Sequence, residues 1–355
     1  MKVLLINNYS MEDAWRLWQE GKYPGHHLWG ATHLEQYGVE TKILPHEKFG
    51  RLKRFSKKLG FLGDLDQQLR ILFHRADYDM LYSACQTNTF LLSMLRLIGL
   101  YRKPISIIVH HPIKNRKILG NRWLFKLLFK GHDQFLCLTK ETKQQFEKDL
   151  AVSPDRVRLI EWGIDLPFYQ TNHAVPTQSR FIVSAGKTSR DYDTLVRALD
   201  GTDISLKIYC SGNSAPSISE YSSNIQVIFN HATNNAISYQ DLLLEYQRSH
   251  AIAVPLPDTK NLAGLTSLLD AMAVGKAVII TRNQQIDIDV EKEKIGFVIE
   301  PGDVAGWREA VTYLIDHPEE AIEMGQRGRH LCEKKYNLEV FSSHLANCLS
   351  EVELR

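Results

Sequence analysis

Two short stretches carry side chains suited to holding a diphosphate. AGKTSRDYD (185–193) places Gly186, Lys187 and Arg190 in a tight segment between an apolar run and an amphipathic one. Two cations at the entrance to a helix make charge-assisted hydrogen bonds to phosphate, and the unpaired N–H groups of the helix's first turn add to them. The second stretch, NLAGLTSLLDAMAVGKAVIIT (261–281), reads as a loop with Asn261 ending in Gly264, then a helix, a break at Gly275 and a strand buried on both faces. Leu265, Thr266 and Ser267 open that helix, with Thr266 and Ser267 expected to cap it. Asp270, one to two turns in, is placed to reach a ribose. An ordinary strand–helix junction with solvated Lys and Arg has the same residue types. Two such loops in one domain favour a phosphate site.

Histidines form a second group. His110 ends the run Ile105–Val109 just before His111 and Pro112, where an imidazole can hydrogen-bond a substrate hydroxyl or a developing charge. Strand side chains alternate, so His111 is expected to point the other way. Gly25, His26 and His27 share the segment PGHHLWG, and Asp165 follows Gly163 in EWGIDLPFY, where it can also simply cap a turn. Any of these histidines could equally be a structural one with satisfied hydrogen bonds.

The elements that position these residues alternate between strand and helix. Strands are expected at Val3–Ile6, Thr41–Leu44, Met80–Tyr82, Ile105–Val109, Gln134–Leu138 and Val157–Ile160, with a long loop from Asn7 to Gly30. A second series begins at Arg180–Ser184 and continues through Leu206–Tyr209, Val227–Phe229, Ala251–Val254, Ala277–Ile280 and Gly296–Ile299, then ends in helices. The length of 355 residues suits two domains. The expected division is 1–168, an acceptor-binding domain; 169–336, a donor domain; and 337–355, a helix returning to the first. Two doubly wound sheets put a cleft at their strand C-termini.

Composition limits the function further. Five widely spaced cysteines without a CxxC argue against a zinc site or a disulfide frame and for a reducing, cytoplasmic setting. No apolar run is long enough to span a membrane. No GxGxxG follows the first strand, no Walker loop is present, and nothing suggests nucleic acid. Residues 1–170 carry 26 Lys and Arg against 17 Asp and Glu, and the remainder carries 17 against 24. The basic excess gathers at 48–61 (KFGRLKRFSKKLGF) and 113–131 (IKNRKILGNRWLFKLLFKG), interleaved with Phe, Leu and Trp. This pattern suits an anionic membrane surface, with peripheral placement on its inner face, and also suits solvated helix faces.

Taken together, GIDLPFY, SAGKTSRDYDTLVRAL, GLTSLLDAMAVGKAVIIT and GFVIEPGDVAGW, in this order, resemble the retaining glycosyltransferases of family 4, whose fold is GT-B: two Rossmann-like domains facing a central cleft. The VHH segment is similar to the family's strand-end histidine beside the donor sugar. The resemblance implies a nucleotide-diphosphate sugar donor on the second domain and a glycan or lipid-linked acceptor on the first. It implies that Lys187 and Arg190 neutralise the diphosphate in place of a metal, and that amides near Gly264, Leu265 and Thr266 cradle it. It places Asp270 as the second acid of the family's E-x7-E motif, and it implies a leaving phosphate that helps to deprotonate the acceptor.

One departure stands out. The eighth residue before Asp270 is Leu262, preceded by Asn261, where the family has its first acid. The sugar hydroxyls must then be held by Asn261 or by backbone amides. A catalytically inactive scaffold of the same fold is the alternative that this gap suggests, and epimerisation or phosphorolysis are further chemistries of the fold. One expectation concerns the surface: neutralising Lys53, Arg54, Lys57 and Lys58 together should reduce co-sedimentation of the chain with anionic vesicles. Unchanged sedimentation would return this stretch to a solvated helix face.

Overall fold

The computed structural model describes residues 1–46, 48–58, 62–74, 77–112, 122–148, 150–170, 180–229 and 237–353. It divides into two compact units, Met1–Trp162 with Leu338–Arg355, and Gly163–Asn337. The domain boundary expected at residue 168 therefore falls inside the second unit. The last helix, α12 (Leu338–Glu353), belongs to the first.

The first unit is built on β1 (Lys2–Ile6), α1 (Met11–Gln19), β2 (Glu40–Ile43), α2 (Gly50–Lys58), α3 (Leu65–Phe73), β3 (Met80–Ser83), α4 (Phe90–Leu97), β4 (Ile105–Val109), α5 (Arg122–Lys130), β5 (Gln134–Cys137), α6 (Lys140–Lys148) and β6 (Val157–Leu159). All pairings are parallel, in the order β2-β1-β3-β4-β5-β6. Strands β3, β4 and β5 are buried at every position, because helices cover both faces of a parallel sheet. Residues 59–61 and 113–121 of the two basic stretches, and the side chains of Lys53, Arg54, Lys57, Lys58 and Trp123, lie outside the described residues.

The segment expected as one long loop after β1 instead contains α1. Ser10 caps it by accepting from the N–H of Asp13, Glu12 and Asp13 sit in its first turn, and Met11 and Ala14 are buried. This apolar spacing and this cap are helix signals, here masked by the polar segment before them and the Gly/Pro-rich one after.

The second unit is built on β7 (Phe181–Gly186), α7 (Tyr192–Leu199), β8 (Ser205–Cys210), β9 (Ile225–Phe229), α8 (Tyr239–Arg248), β10 (Ala251–Val254), α9 (Leu265–Ala273), β11 (Ala277–Thr281), β12 (Gly296–Ile299), α10 (Val304–Asp316) and α11 (Pro318–Lys334). Its sheet is also parallel, ordered β12-β11-β10-β7-β8-β9. The winding direction reverses between β7 and β10, so the loops leaving these neighbouring strands part at that point. Doubly wound sheets bind ligands at such a point. Residues 171–179 of the turn-rich segment before β7 lie outside the described residues.

Helix α9 ends at Ala273 with Val274 as its C-cap, and Gly275 follows with φ +71°, the left-handed position that stops a helix. Helix α11 presses on this corner. A Cβ on Gly325 would lie 2.0 Å from the Gly275 carbonyl oxygen. Alanine favours a helix by about 1 kcal/mol over glycine, but overlap with a fixed carbonyl costs more. Gly325→Ala is expected to destabilise the chain by about 1–3 kcal/mol in urea denaturation. Gly212→Ala, with nothing within 4 Å of its Cβ, should stay within about 0.5 kcal/mol of wild type.

Candidate functional site

At the reversal point of the second unit the two loops are tied together. The Asp191 N–H donates to the Pro255 carbonyl at 3.1 Å, and Asp191 Oδ1 caps α7 by accepting from the Thr194 N–H. Gly186, expected from the sequence in the loop, is instead the last residue of β7. Arg190 folds back across it. A Cβ on Gly186 would lie 2.4 Å from the Arg190 Nε, so only glycine leaves room for the guanidinium there.

From this seat Arg190 Nη2 donates to Ser267 Oγ at 2.8 Å and to the Ala185 carbonyl at 3.4 Å, and Nη1 donates to the carbonyls of Thr188 and Ser189. Its Nε is buried and has no hydrogen-bond partner among the described residues, and no carboxylate among them lies within ion-pair distance of the guanidinium. Burial lowers its proton affinity relative to an ordinary arginine. Lys187 stands exposed one residue beyond the strand, and its carbonyl accepts from Ser211 Oγ.

Thr266 and Ser267 do not cap α9. Gly264 is the capping residue, at φ +83° and packed against Leu256 and Val254, and it has no side chain to offer. Ser267 is occupied, accepting from Arg190 and donating to the Ala185 carbonyl at 3.3 Å. Leu265 and Thr266 are half-buried at the start of the helix. The first-turn N–H groups are left without a side-chain cap, the arrangement that receives an anion. Asn283, which the sequence reading did not single out, holds the preceding loop by donating to the carbonyls of Asn261 and Ala263 at 3.0 and 3.3 Å.

Asp270 is 5% exposed, and its Oδ1 accepts from Tyr169 at 2.5 Å and from Tyr239 at 2.9 Å. Burial raises its carboxyl to about 6 against the opposing effect of these two donors. The tyrosines come from the segment before β7 and from α8, so no spacing in the sequence pointed to them. Asp165 is buried just before the short 3-10 helix Leu166–Tyr169, within this same unit.

In the first unit the reversal point lies between β1 and β3, and an aromatic cluster surrounds its strand ends. Trp29 stacks on Trp162 with centroids 5.3 Å apart, meets His110 edge-on at 4.8 Å, and donates Nε1–H to Tyr9 Oη at 2.9 Å. Tyr9 in turn donates to the His27 carbonyl. His26 is buried edge-on to Trp162, and burial holds it well below the ordinary histidine range. Gly25 opens the short helix carrying both histidines, and it is buried.

His110 is half-buried directly after β4, and its Nε2 sits 2.8 Å from the Ala84 carbonyl. Only a protonated Nε2 can make that bond, so the neutral ring presents Nδ1 as an acceptor. Burial pushes its pKa down to about 4, which keeps it neutral near pH 7. His111 is exposed, its ring centroid 6.1 Å from that of His110. Gln86 Oε1 accepts from the backbone N–H of both histidines.

Tyr9, Trp29 and Trp162 were not picked out from the sequence, although tryptophans flanking adjacent histidines were a visible signal. Among the described residues no group of three or more His, Cys, Asp or Glu side chains is placed to hold a metal ion, and no helix is long and apolar enough to cross a membrane.

Comparison with known proteins bears on the family and the fold. The profile of Glycosyltransferase Family 4 matches residues 26–168, and that of Glycosyl transferases group 1 matches residues 167–331. Among solved structures, a glycosyltransferase from Rickettsia africae superposes with a TM-score of 0.69 at 14% identity, over 99% of this chain and 98% of its own. Sucrose-phosphate synthase from Thermosynechococcus elongatus gives 0.68 at 14%, covering 99% of both chains. HepE from Anabaena, in complex with UDP-glucose, gives 0.67 at 12%, covering 99% of this chain and all of its own. No curated protein sequence matches significantly. These structural likenesses establish the GT-B fold, and the two profiles, which together run from residue 26 to residue 331, place the chain among the family 4-like glycosyltransferases.

Proposed function

We propose that this glycosyltransferase moves a sugar from a nucleoside-diphosphate sugar to a hydroxyl of a glycan or lipid-linked acceptor, with retention of anomeric configuration and without a metal ion. The observation that carries this reading is Arg190: a half-buried guanidinium at the α9 N-terminus, with no carboxylate within ion-pair distance and its buried Nε–H unmatched among the described residues. Such a cation is stabilised by an arriving anion. Lys187 adds a second charge within the same loop. The UDP-glucose held by HepE makes a UDP-sugar the first donor to test.

In this reading the bond from the sugar C1 to the β-phosphate oxygen breaks, and the acceptor oxygen bonds to C1 on the same face. The acceptor proton passes to the departing phosphate. Lys187, Arg190 and the first-turn amides of α9, at Gly264, Leu265 and Thr266, stabilise the charge that gathers on the diphosphate. His110 accepts a sugar hydroxyl through Nδ1. Asn261 stands in for the acid absent at Leu262. Asp270 meets the ribose through Oδ2, the oxygen that the two tyrosines leave. Gly25, His26, His27 and His111, all in the first unit, are assigned to the acceptor side, and residues 48–61 and 113–131 to an anionic membrane surface.

Calorimetric titration with UDP, GDP, ADP and NAD, without metal, tests the donor site. One nucleoside diphosphate should bind, and Lys187→Ala should weaken it on the order of tenfold while leaving the matching nucleoside unchanged. Equal loss for both ligands would remove the phosphate role. Turnover of the bound nucleotide's sugars, with the anomeric configuration of product and donor compared by NMR, tests transfer and retention. Binding without turnover would favour a scaffold.

Asp270 makes a separate prediction. Its pKa is raised to about 6 in the folded chain from an ordinary 3.8. Between these values the folded chain keeps a proton that the unfolded chain has released. The stability contributed at this position therefore falls as pH rises from about 4 to about 6, then levels off. Asp270→Asn does not titrate. The stability of wild type relative to Asp270→Asn should drop by about 2 kcal/mol between pH 4 and pH 7 in urea denaturation. A constant difference would contradict the raised pKa.

A further inference from the structure

The first unit carries a groove with apolar walls and a rim that holds Lys48 beside the basic helix α2. Two adjoining cavities of about 300 and 330 Å3 share Lys48, Arg70 and His74. Leu4, Ile43, Leu44 and Tyr78 line the first, and Phe49, Leu52, Leu69 and Phe73 line the second. Phe73 is 89% exposed and Phe49 is 49% exposed, and Phe55 of α2 is also exposed. Isolated exposed apolar residues are ordinary, but Phe49 and Phe73 stand exposed together on one groove, which marks a binding surface.

The frame beneath this groove holds it open. Arg70 and Asp66 form a buried ion pair, with Nη2 2.7 Å from Oδ2, and Arg70 also donates to the Pro45 carbonyl at 2.5 Å. Asp66 further accepts the backbone N–H groups of Lys48 and Phe49, each at 3.1 Å. The chain entering α2 is thereby fixed to α3, and Phe49 is presented outward by a pinned backbone. Lys48 lies over the Phe49 ring at 5.7 Å. Of the residues lining either cavity, only Asp77 is acidic, and it pairs with Lys42 at 3.5 Å. The sequence of α2, GRLKRFSKK, contains no acid at all.

We propose that this groove takes the apolar chain of an anionic membrane lipid, with its phosphate at Lys48 and the basic helix α2. The inference rests on the membrane contact assigned above to residues 48–61 and adds an insertion that charge alone does not supply. Lys48 and the acid-free α2 beside an apolar floor together select an anionic amphiphile over a neutral one, and the exposed Phe49 and Phe73 supply the area that a lipid chain buries.

The test is co-sedimentation of the full chain with vesicles of phosphatidylcholine alone, and of equal parts phosphatidylglycerol and phosphatidylcholine, at low and high salt. Wild type should bind the anionic vesicles and keep part of that binding at high salt. Phe49→Ser/Phe73→Ser, both at exposed positions, should lose on the order of tenfold in partitioning, with nucleotide binding unchanged as the check on folding. The variant neutralised at Lys53, Arg54, Lys57 and Lys58 should lose mainly the salt-sensitive part. Equal binding by the serine variant and wild type would overturn the groove, while weakened binding by the neutralised variant would leave the surface contact standing. Binding to neither vesicle would overturn both. A dimer in solution that only the serine variant dissolves, without vesicle binding, would give the groove to a second copy of the chain and overturn its assignment to lipid.

Discussion

The second unit is organised around one half-buried cation whose Nε is shut away from water. Arg190 lies over Gly186, reaches Ser267 on α9 through Nη2, donates Nη1 to carbonyls of its own loop, and has no partner for Nε among the described residues. A buried guanidinium usually comes with a carboxylate, because an isolated charge loses far more hydration than neutral oxygens return. Here the nearest acid that acts on it, Asp270, has its Oδ1 committed to Tyr169 and Tyr239. The cation is thus held in place at the point where β7 and β10 part, beside a helix N-terminus without a cap. Glycine at 186 and serine at 267 follow from that one placement.

The first unit has a different centre. Trp29 takes a left-handed backbone at φ +52°, followed by Gly30 at φ +88°. A Cβ on Gly30 would meet Leu345 of α12 at 2.8 Å, so the last helix of the chain is part of what shapes this turn. The turn aims the indole at His110 and Trp162, and the Ala84 carbonyl sets the tautomer of His110. An imidazole that is neutral and fixed in one tautomer offers a single acceptor, which suits it to a hydroxyl and makes it a poor partner for phosphate.

How much of this could be read beforehand differs by residue. The placement of Lys187, Arg190, Gly264 and Asp270 at strand–helix junctions was legible because such a junction is local: its residues sit a few positions apart. The missing acid at Leu262 was equally plain. Asn283, Tyr169 and Tyr239 were not, since they approach the 261–270 segment from distant parts of the chain. Helix α1 was hidden by the polar and glycine-rich segments on either side of it, although its Ser10 cap was present.

By itself the sequence determined the alternation of apolar strands and amphipathic helices, and with it two parallel sheets, since burial on both faces leaves β-strand runs of unbroken Val, Ile and Leu. It also determined which loop carries the cations. Only the tertiary structure decided that the Arg190 Nε is shut away from water, that Ser267 answers Arg190 and does not cap its own helix, and that Asp270 is buried between tyrosines. The reason is physical: periodicity and capping act over a few residues, whereas dehydration and the choice of hydrogen-bond partner depend on which distant segments arrive at the same place.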